Sequence, residues 1–374
     1  MNYQYRIFES ASALPTDWDQ VAAQSIFLQS TYLRVLENSA PGNITCQFIG
    51  IYQANELIAT AMLQHLDLGK LASFGNRDHG ALTLLRNFLF KRYSSKLAII
   101  GNNMLTGQHA ISFSPSANKP EILAGLKTFV TELTPTPHLN IFKDFEAIDR
   151  PLFDQAAFQK SLQFSSQPNM FIDLRPEWTK ETDYVQALTK KYRDQYKRAR
   201  KKAIGIEKRQ LTLDEIDQLE NEIYTLYRHV ADHAPFNTFF LTKNHFYSLK
   251  KELGDSFRFF AYIESGELIG FNTLIHHDEI LETYFLGYDE KIQREKMLYL
   301  NMLYDMLGCS IHNGFKRINF GRTAMEIKSS IGAKPEQLFG WMQHKNTMVN
   351  RNLGFIFNLL EPKAKWIERN PFKS

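Results

Sequence analysis

The sequence predicts an α/β protein built from two tandem domains, each a mixed, mostly antiparallel sheet flanked by helices. Three observations carry this. At 374 residues the chain exceeds the size at which one hydrophobic core keeps growing. A strand–turn–strand phrase occurs twice, as "IGIYQANELIATAMLQH" and "FAYIESGELIGFNTLIH", which align when Glu56 is set against Glu267. Each phrase then leads into the same succession of strand, helix and strand.

The elements follow from their patterning. In the first half, "STYLRVLENSA" has helical spacing, and the hairpin turns at Asn55 between alternating runs. A short strand "KLASFG", a helix "ALTLLRNFLFKRYSS" and a strand "KLAIIG" come next. The stretch 134–169 reads as a connection with "LNIFKDF" as a strand inside it, and "NMFIDL" opens the second half. There "ALTKKYRDQYKRARKKA" and "LDEIDQLENEIYTLYRHVADH" are helical, and the second hairpin turns at Ser265-Gly266. A third strand "EILETYFLGYD" precedes a helix whose stripe Leu300, Leu303, Leu307 and Ile311 is closed by Gly314, and "KRINFG" is a strand. The expected division is a first domain 1–169, connection 134–169 included, and a second domain 170–374 with a basic helix at 188–204.

Composition narrows the function classes. Hydrophobic residues at 44% and aromatics at 13% supply material for two cores and exclude a disordered chain. A formal charge of +4 is too mild to mark a nucleic-acid binder, and no pattern for specific DNA binding appears. Cys46 and Cys309 have no metal or disulfide spacing, so a reducing compartment and buried thiols are expected. "MNYQYRIFES" lacks the basic-then-apolar pattern of a secretory leader, and no apolar run reaches the roughly 18 residues of a membrane span. A cytoplasmic protein is expected, with peripheral contact to the inner face of the membrane open to it. Nucleophile elbow, Walker loop and dinucleotide fingerprint are all missing.

The order of elements, with "DYVQALTKKYRDQYKRARKKAIGIEKRQL", "GELIGFNTLIHHDEILETYFLGYD" and "INFGRTAMEIKSSIGAKP", resembles the tandem-domain branch of the GNAT acyltransferase superfamily. This branch includes Fem-type aminoacyl transferases and acetyltransferase-like proteins linked to polysaccharide synthesis. The resemblance is strongest from Phe171 to Pro335 and implies two GNAT-like domains. It implies an N-acyltransferase moving an acyl or aminoacyl group onto an amine of a small molecule or envelope precursor, with no tightly bound cofactor. One departure bears on the donor. GNAT domains follow their central strand with a Gly-rich turn that holds the pyrophosphate of coenzyme A, whereas "DEKIQREKMLYLN" contains no glycine. The co-substrate therefore stays open between acyl-CoA, an acyl carrier and an aminoacyl-tRNA.

Several segments have the residue types for this chemistry. On "EILETYFLGYD", alternation places Glu282, Tyr284 and Tyr288 on one face. Acyl transfer needs an ammonium deprotonated and a leaving group protonated, tasks for Glu282 and Tyr284, and the resemblance implies a backbone N–H of the same strand as the donor that polarises the carbonyl. Arg322 and Lys328, after the "KRINFG" strand, and Gln293, Arg294 and Lys296 are candidate donor contacts. The alternative for Arg322 is a turn-stabilising pair with Glu326. Arg77 and His79, between Gly75 and Gly80, join Tyr288 as candidate acceptor contacts. Lys190 to Arg209 holds ten cations against Asp194 and Glu207, and Arg193, Lys197 and Arg200 on this helix are suited to an anionic partner such as tRNA or acidic lipid. In "HHDE", His276 and His277 point to opposite faces of a strand, which predicts a polar hairpin turn and no metal. The rival to an enzyme is a non-catalytic adaptor on a degenerate GNAT pair, tethered to an anionic surface by the basic helix.

Overall fold

The computed structural model describes residues 3–70, 95–165, 167–234, 237–360 and 366–373. The predicted strand and helix between Leu71 and Tyr93 lie outside them. The chain forms two compact α/β units. The first joins Met1–Ser166 with Pro235–His245 and Gln337–Lys363, and the second joins Gln167–Ala234 with Phe246–Glu336 and Ala364–Ser374. Where the sequence leads one to expect a single crossing near 169, the chain returns twice to the first unit.

In the first unit the strands are β1 (Gln4–Phe8), β2 (Ile44–Gln53), β3 (Glu56–Asp67), β4 (Lys96–Ile100), β5 (Ile111–Phe113), β6 (Leu139–Phe145), β7 (Leu162–Ser165) and β15 (Phe339–His344). Their order is β1-β2-β3-β4-β6-β15-β7, with β5 paired to β3, and only β4 and β6 pair in parallel. The return of β15 has a packing cause. Trp341 stacks on Phe153 with ring centroids 3.6 Å apart and joins Phe142, Phe145 and Phe158 in this unit's core. A fully buried aromatic cluster of this kind is worth several kcal/mol and dictates which sheet the strand enters.

The second unit contains β8 (Asn169–Asp173), β9 (Glu207–Gln210), β10 (Phe257–Glu264), β11 (Glu267–His277), β12 (Ile280–Tyr288), β13 (Arg317–Gly321) and β14 (Lys334–Glu336). Their order is β14-β8-β13-β12-β11-β10-β9. Helix Leu298–His312 packs its stripe on Leu274, Leu281 and Ile318, and Gly314 ends it at a positive φ of 70°. The basic helix spans Lys190–Lys202 and contributes Tyr192 and Ala199 to the same core. Among the described residues no helix is long and apolar enough to cross a membrane.

The repeated phrase is a repeat in three dimensions as well. Both hairpins close with two consecutive positive φ angles, at Ala54-Asn55 (49° and 69°) and Ser265-Gly266 (54° and 86°), the turn that matches the twist of antiparallel strands. Each returning strand then carries one extra residue. Tyr52 faces Leu57 and Ile51 faces Ala59, while Ile263 faces Leu268 and Tyr262 faces Gly270, so Ile58 and Ile269 are bulged at equivalent positions. Bulges re-aim a strand, and the shared one explains why "ELIA" and "ELIG" keep the same spacing.

Helix Glu220–His233 lies directly on β12. A Cβ added to Gly287 would stand 2.6 Å from the backbone carbonyl carbon of Leu226, 2.6 Å from the Tyr227 nitrogen and 2.5 Å from the Phe271 ring. Backbone atoms cannot rotate away, so Gly287→Ala is expected to cost about 1–3 kcal/mol through overpacking. Thermal unfolding should show a midpoint several degrees lower. An unchanged midpoint would mean that the helix shifts without loss.

Candidate active site

β12 and β13 run parallel but pair only over Ile280–Glu282 against Arg317–Asn319. Beyond Glu282, β12 continues to Tyr288 alongside β11, whereas β13 stays with β8 and stops at Gly321. Residues 283–288 thus have no partner strand on that side among the described residues. β12 is also bulged at this point. Asn272 faces Leu286 and Leu274 faces Thr283, so Tyr284 and Phe285 together oppose Thr273, whose hydroxyl donates to the Phe285 carbonyl at 2.6 Å.

The bulge corrects one expectation. Tyr288 faces Gly270 and Thr283 faces Leu274, and alternation along β11 puts both on one face, opposite Glu282. Tyr288 is turned away from Glu282 and packs toward Tyr299, ring centroids 6.1 Å apart. Simple alternation fails here because an extra residue inverts the facing of everything after it.

Glu282 sits where the strands part. Its carboxylate accepts from Asn319 Nδ2 at 2.6 Å. Burial pushes its pKa up to about 7; the Asn319 bond and Arg317 oppose the rise, and Glu336 adds to it. The network continues across the sheet. Asn169 Nδ2 donates to Asn319 Oδ1 at 3.3 Å and to Glu336 Oε2 at 3.4 Å. Arg317 donates to Asp173 at 2.9 Å and Glu336 at 3.1 Å while lying over the Phe171 ring at 3.8 Å. Asn319, Asn169, Glu336 and Arg317 escaped the sequence reading. The alternation of "KRINFG", with Ile318 and Phe320 inward and Arg317 and Asn319 on the other face, was the signal available.

Past β13 the chain turns at Gly321 (φ 66°) through Thr323 and Ala324, also at positive φ. Lys328 holds this turn. Its buried ammonium donates to the carbonyls of Phe320, Gly321 and Arg322 at 2.6, 3.2 and 2.6 Å, and burial pulls its pKa down to about 7. Those bonds use the three donors that a donor-binding role would require, so Lys328 acts as a brace at the end of β13. Arg322 donates from Nε to the Gln167 carbonyl at 3.1 Å. Its alternative partner, Glu326, is instead paired with Arg369.

The glycine-free segment after β12 is a short helix, Glu290–Lys296. The Asp289 carboxylate accepts from the Lys291 and Ile292 N–H groups at 2.9 and 3.1 Å. Donors that cradle a pyrophosphate in a Gly-rich turn are here already occupied by an acid. Arg294 pairs with Glu290 on the surface, Lys296 with Glu264 at 2.6 Å, and Gln293 is half-buried. On the basic helix, Lys197 is exposed and Arg193 half-exposed, but Arg200 is turned inward. It pairs with Glu181 and with Asp305 at 2.7 Å and lies over the Tyr196 and Tyr304 rings, so two carboxylates neutralise the charge expected to meet a phosphate. Asp278 and Glu279 form the turn from β11 into β12, and His276 and His277 are the last residues of β11. Arg77 and His79 lie outside the described residues.

A seven-strand mixed sheet whose central parallel pair separates part-way along its length has the form of the GNAT fold. Residues 190–329, most of them in the second unit, match the acetyltransferase (GNAT) domain family. The whole chain has the tandem form of that fold. It is similar to FemX (TM-score 0.53, 10% identity, covering 97% of this chain and 100% of that one) and to a tandem GNAT protein from the clavulanic acid biosynthesis pathway (TM-score 0.50, 8% identity, 92% and 99%). A conserved protein of unknown function from Bacteroides thetaiotaomicron is similar in the same way (TM-score 0.53, 11% identity, 91% and 99%). No curated protein matches the chain in sequence. At these identities the likeness establishes the fold.

Proposed function

We propose that the protein is an N-acyltransferase that moves an acyl or aminoacyl group from an activated ester or thioester to an amine by direct attack within a ternary complex. The observation that carries this reading is the parting of β12 from β13 at Glu282. There a strand edge with no neighbouring strand among the described residues, a bulge and a carboxyl raised to about 7 coincide. The donor carbonyl lies along residues 283–288 with its oxygen on a strand N–H, and Glu282 takes the proton released as the nitrogen attacks. The new C–N bond forms as the bond from the carbonyl carbon to the leaving sulfur or oxygen breaks, and Tyr284 returns a proton to that leaving group. Most of the rate enhancement comes from holding the two reactants in contact.

The occupied N–H groups at Asp289 favour a donor other than a conventionally bound coenzyme A, with Arg322 and the exposed cations of Lys190–Lys202 supplying charge contacts. Calorimetric titration with acetyl-CoA and with a longer acyl-CoA should then give no heat, while filter binding of bulk tRNA should weaken with salt in proportion to its phosphate contacts. Micromolar acetyl-CoA binding would reverse the donor assignment and leave the acyl-transfer reading intact. If neither class binds and anionic vesicles do, the adaptor reading replaces the enzyme.

A further inference from the structure

In the first unit, the returning segment Gln337–Lys363 contains two consecutive helices, Thr347–Arg351 and Leu353–Leu360. The second, "LGFIFNLL", has no charged residue. Its inner side is used: Leu353 is 5% exposed and joins Leu139 and Met342, and the Phe357 ring centroid lies 5.2 Å from that of Phe164. Its outer side is apolar too, because Phe355 is 74% exposed, as is Met348 at 76% on the preceding helix. A helix that is apolar on both sides is ordinarily buried, so an outward Phe on one at the surface calls for a cover.

Asparagines hold these two prongs in place. Asn346 Oδ1 caps the first helix, accepting from the Met348 and Val349 N–H groups at 2.9 and 3.1 Å. Asn350 donates to the Lys160 carbonyl at 2.8 Å and accepts from the His344 N–H at 2.8 Å. The Ile356 N–H donates to the Asn352 carbonyl at 3.1 Å, so the second helix grows directly out of the first. Met348, Arg351, Asn352 and Phe355, spaced by three and four, therefore share one face, and all four are exposed. The charge around them has one sign. Between Glu336 and Glu361 the chain has no acid, whereas Lys345, Arg351 and the neighbouring Lys160 are exposed cations.

We propose that this face docks the chain on an anionic lipid bilayer. Phe355 and Met348 enter the boundary between headgroups and acyl chains, and Lys345, Arg351 and Lys160 meet lipid phosphates. Apolar prongs set among cations match a surface that presents phosphate above hydrocarbon. A second copy of the chain fits the face poorly. Two prongs offer on the order of 300 Å², against the roughly 800 Å² per partner of a stable interface, and a symmetric contact would set cations against cations. The docking face goes beyond the acyl-transfer reading and does not depend on it.

Cosedimentation of the full chain with vesicles of three parts phosphatidylcholine to one part phosphatidylglycerol, beside pure phosphatidylcholine, tests this. Thermal unfolding checks folding, and sedimentation velocity checks self-association. Wild type should bind the mixed vesicles and bind the neutral ones at least tenfold more weakly. Phe355→Ser should weaken binding at least tenfold, and Lys345→Glu combined with Arg351→Glu by as much or more, with unfolding midpoints unchanged because these side chains are exposed. The proposal is overturned if wild type binds neither vesicle, or if Phe355→Ser binds within threefold of wild type, which would assign any vesicle binding to the basic helix. It is equally overturned if wild type is a dimer that Phe355→Ser dissociates, which would make the cover a second copy. Displacement of the vesicles by bulk tRNA that itself binds Phe355→Ser tenfold more weakly would overturn it as well, marking a nucleic-acid surface. Donor titrations in lipid-free buffer are untouched by any of these results, so failure of the docking face and failure of the acyl-transfer reading are separable.

Discussion

Replacing Glu282 with Gln is expected to slow acyl transfer 10²- to 10⁴-fold while acceptor and donor still bind, because general-base catalysis contributes about that much and the amide keeps the Asn319 hydrogen bond. The pH profile is the sharper readout. With its carboxyl raised to about 7, wild-type kcat should climb through a midpoint near neutrality, and this limb should vanish in the variant. Stability moves the other way. The folded-state value lies above the ordinary 4.5, so between those limits the folded protein binds the proton more tightly than the unfolded chain does. Wild-type stability therefore falls as pH rises from about 4.5 to 7, as the buried carboxyl must ionise. Glu282→Gln escapes that cost and should be more stable than wild type at pH 8, by about 1–3 kcal/mol, and no more stable at pH 4. Loss of rate together with a lower unfolding midpoint at pH 8 would instead mark Glu282 as a structural hydrogen-bonding residue.

The second large effect concerns Arg200. Its guanidinium holds Glu181 and Asp305, and Asp305 in turn accepts from the Tyr262 hydroxyl at 2.8 Å, which itself accepts from Asn272 at 2.7 Å. This chain of bonds ties the basic helix to β10, to β11 next to the β12 bulge and to helix Leu298–His312. Arg200→Met keeps the bulk over Tyr196 and Tyr304 but strands two carboxylates in a half-buried setting, at a cost of about 3 kcal/mol. The unfolding midpoint should drop by roughly 6–12 °C for a unit of this size. Asp305→Asn in the same chain should restore part of that loss, since the two changes share one network. Binding of an anionic partner should survive Arg200→Met and fail when Lys197 and Arg198, both exposed, are replaced. The opposite pattern would return Arg200 to the surface role that its sequence position implies.

Most of the second unit was legible because its signals are local. The hairpin turns, the apolar stripe of Leu298–His312 and the basic helix depend on neighbours within a few residues. What escaped depends on distant contacts. Nothing near Phe339–His344 announces that Trp341 completes an aromatic cluster with Phe153, so the return of β15 was invisible. The bulge at Tyr284-Phe285 is fixed by pairing with β11 rather than by composition, and it reversed Tyr288. Glu282 could be singled out as a strand carboxylate, but its partners Asn319 and Asn169 come from strands far along the chain and look like ordinary polar positions. Arg200 and Lys328 show the same limit from the other side. Both read as ligands in sequence, and both are consumed by internal acceptors once the chain folds.

Acyl transfer by this chain requires the open edge of β12 to receive an activated carbonyl. Hydrogen exchange at the amides of residues 283–288, followed by mass spectrometry with acetyl-CoA, palmitoyl-CoA and bulk aminoacyl-tRNA added in turn, measures that edge directly. At least one of these donors should slow exchange there, and the protection should persist in Glu282→Gln, which removes the proton acceptor and leaves the edge intact. Unaltered exchange at 283–288 with all three, alongside protection by any of them elsewhere in the chain, would contradict it.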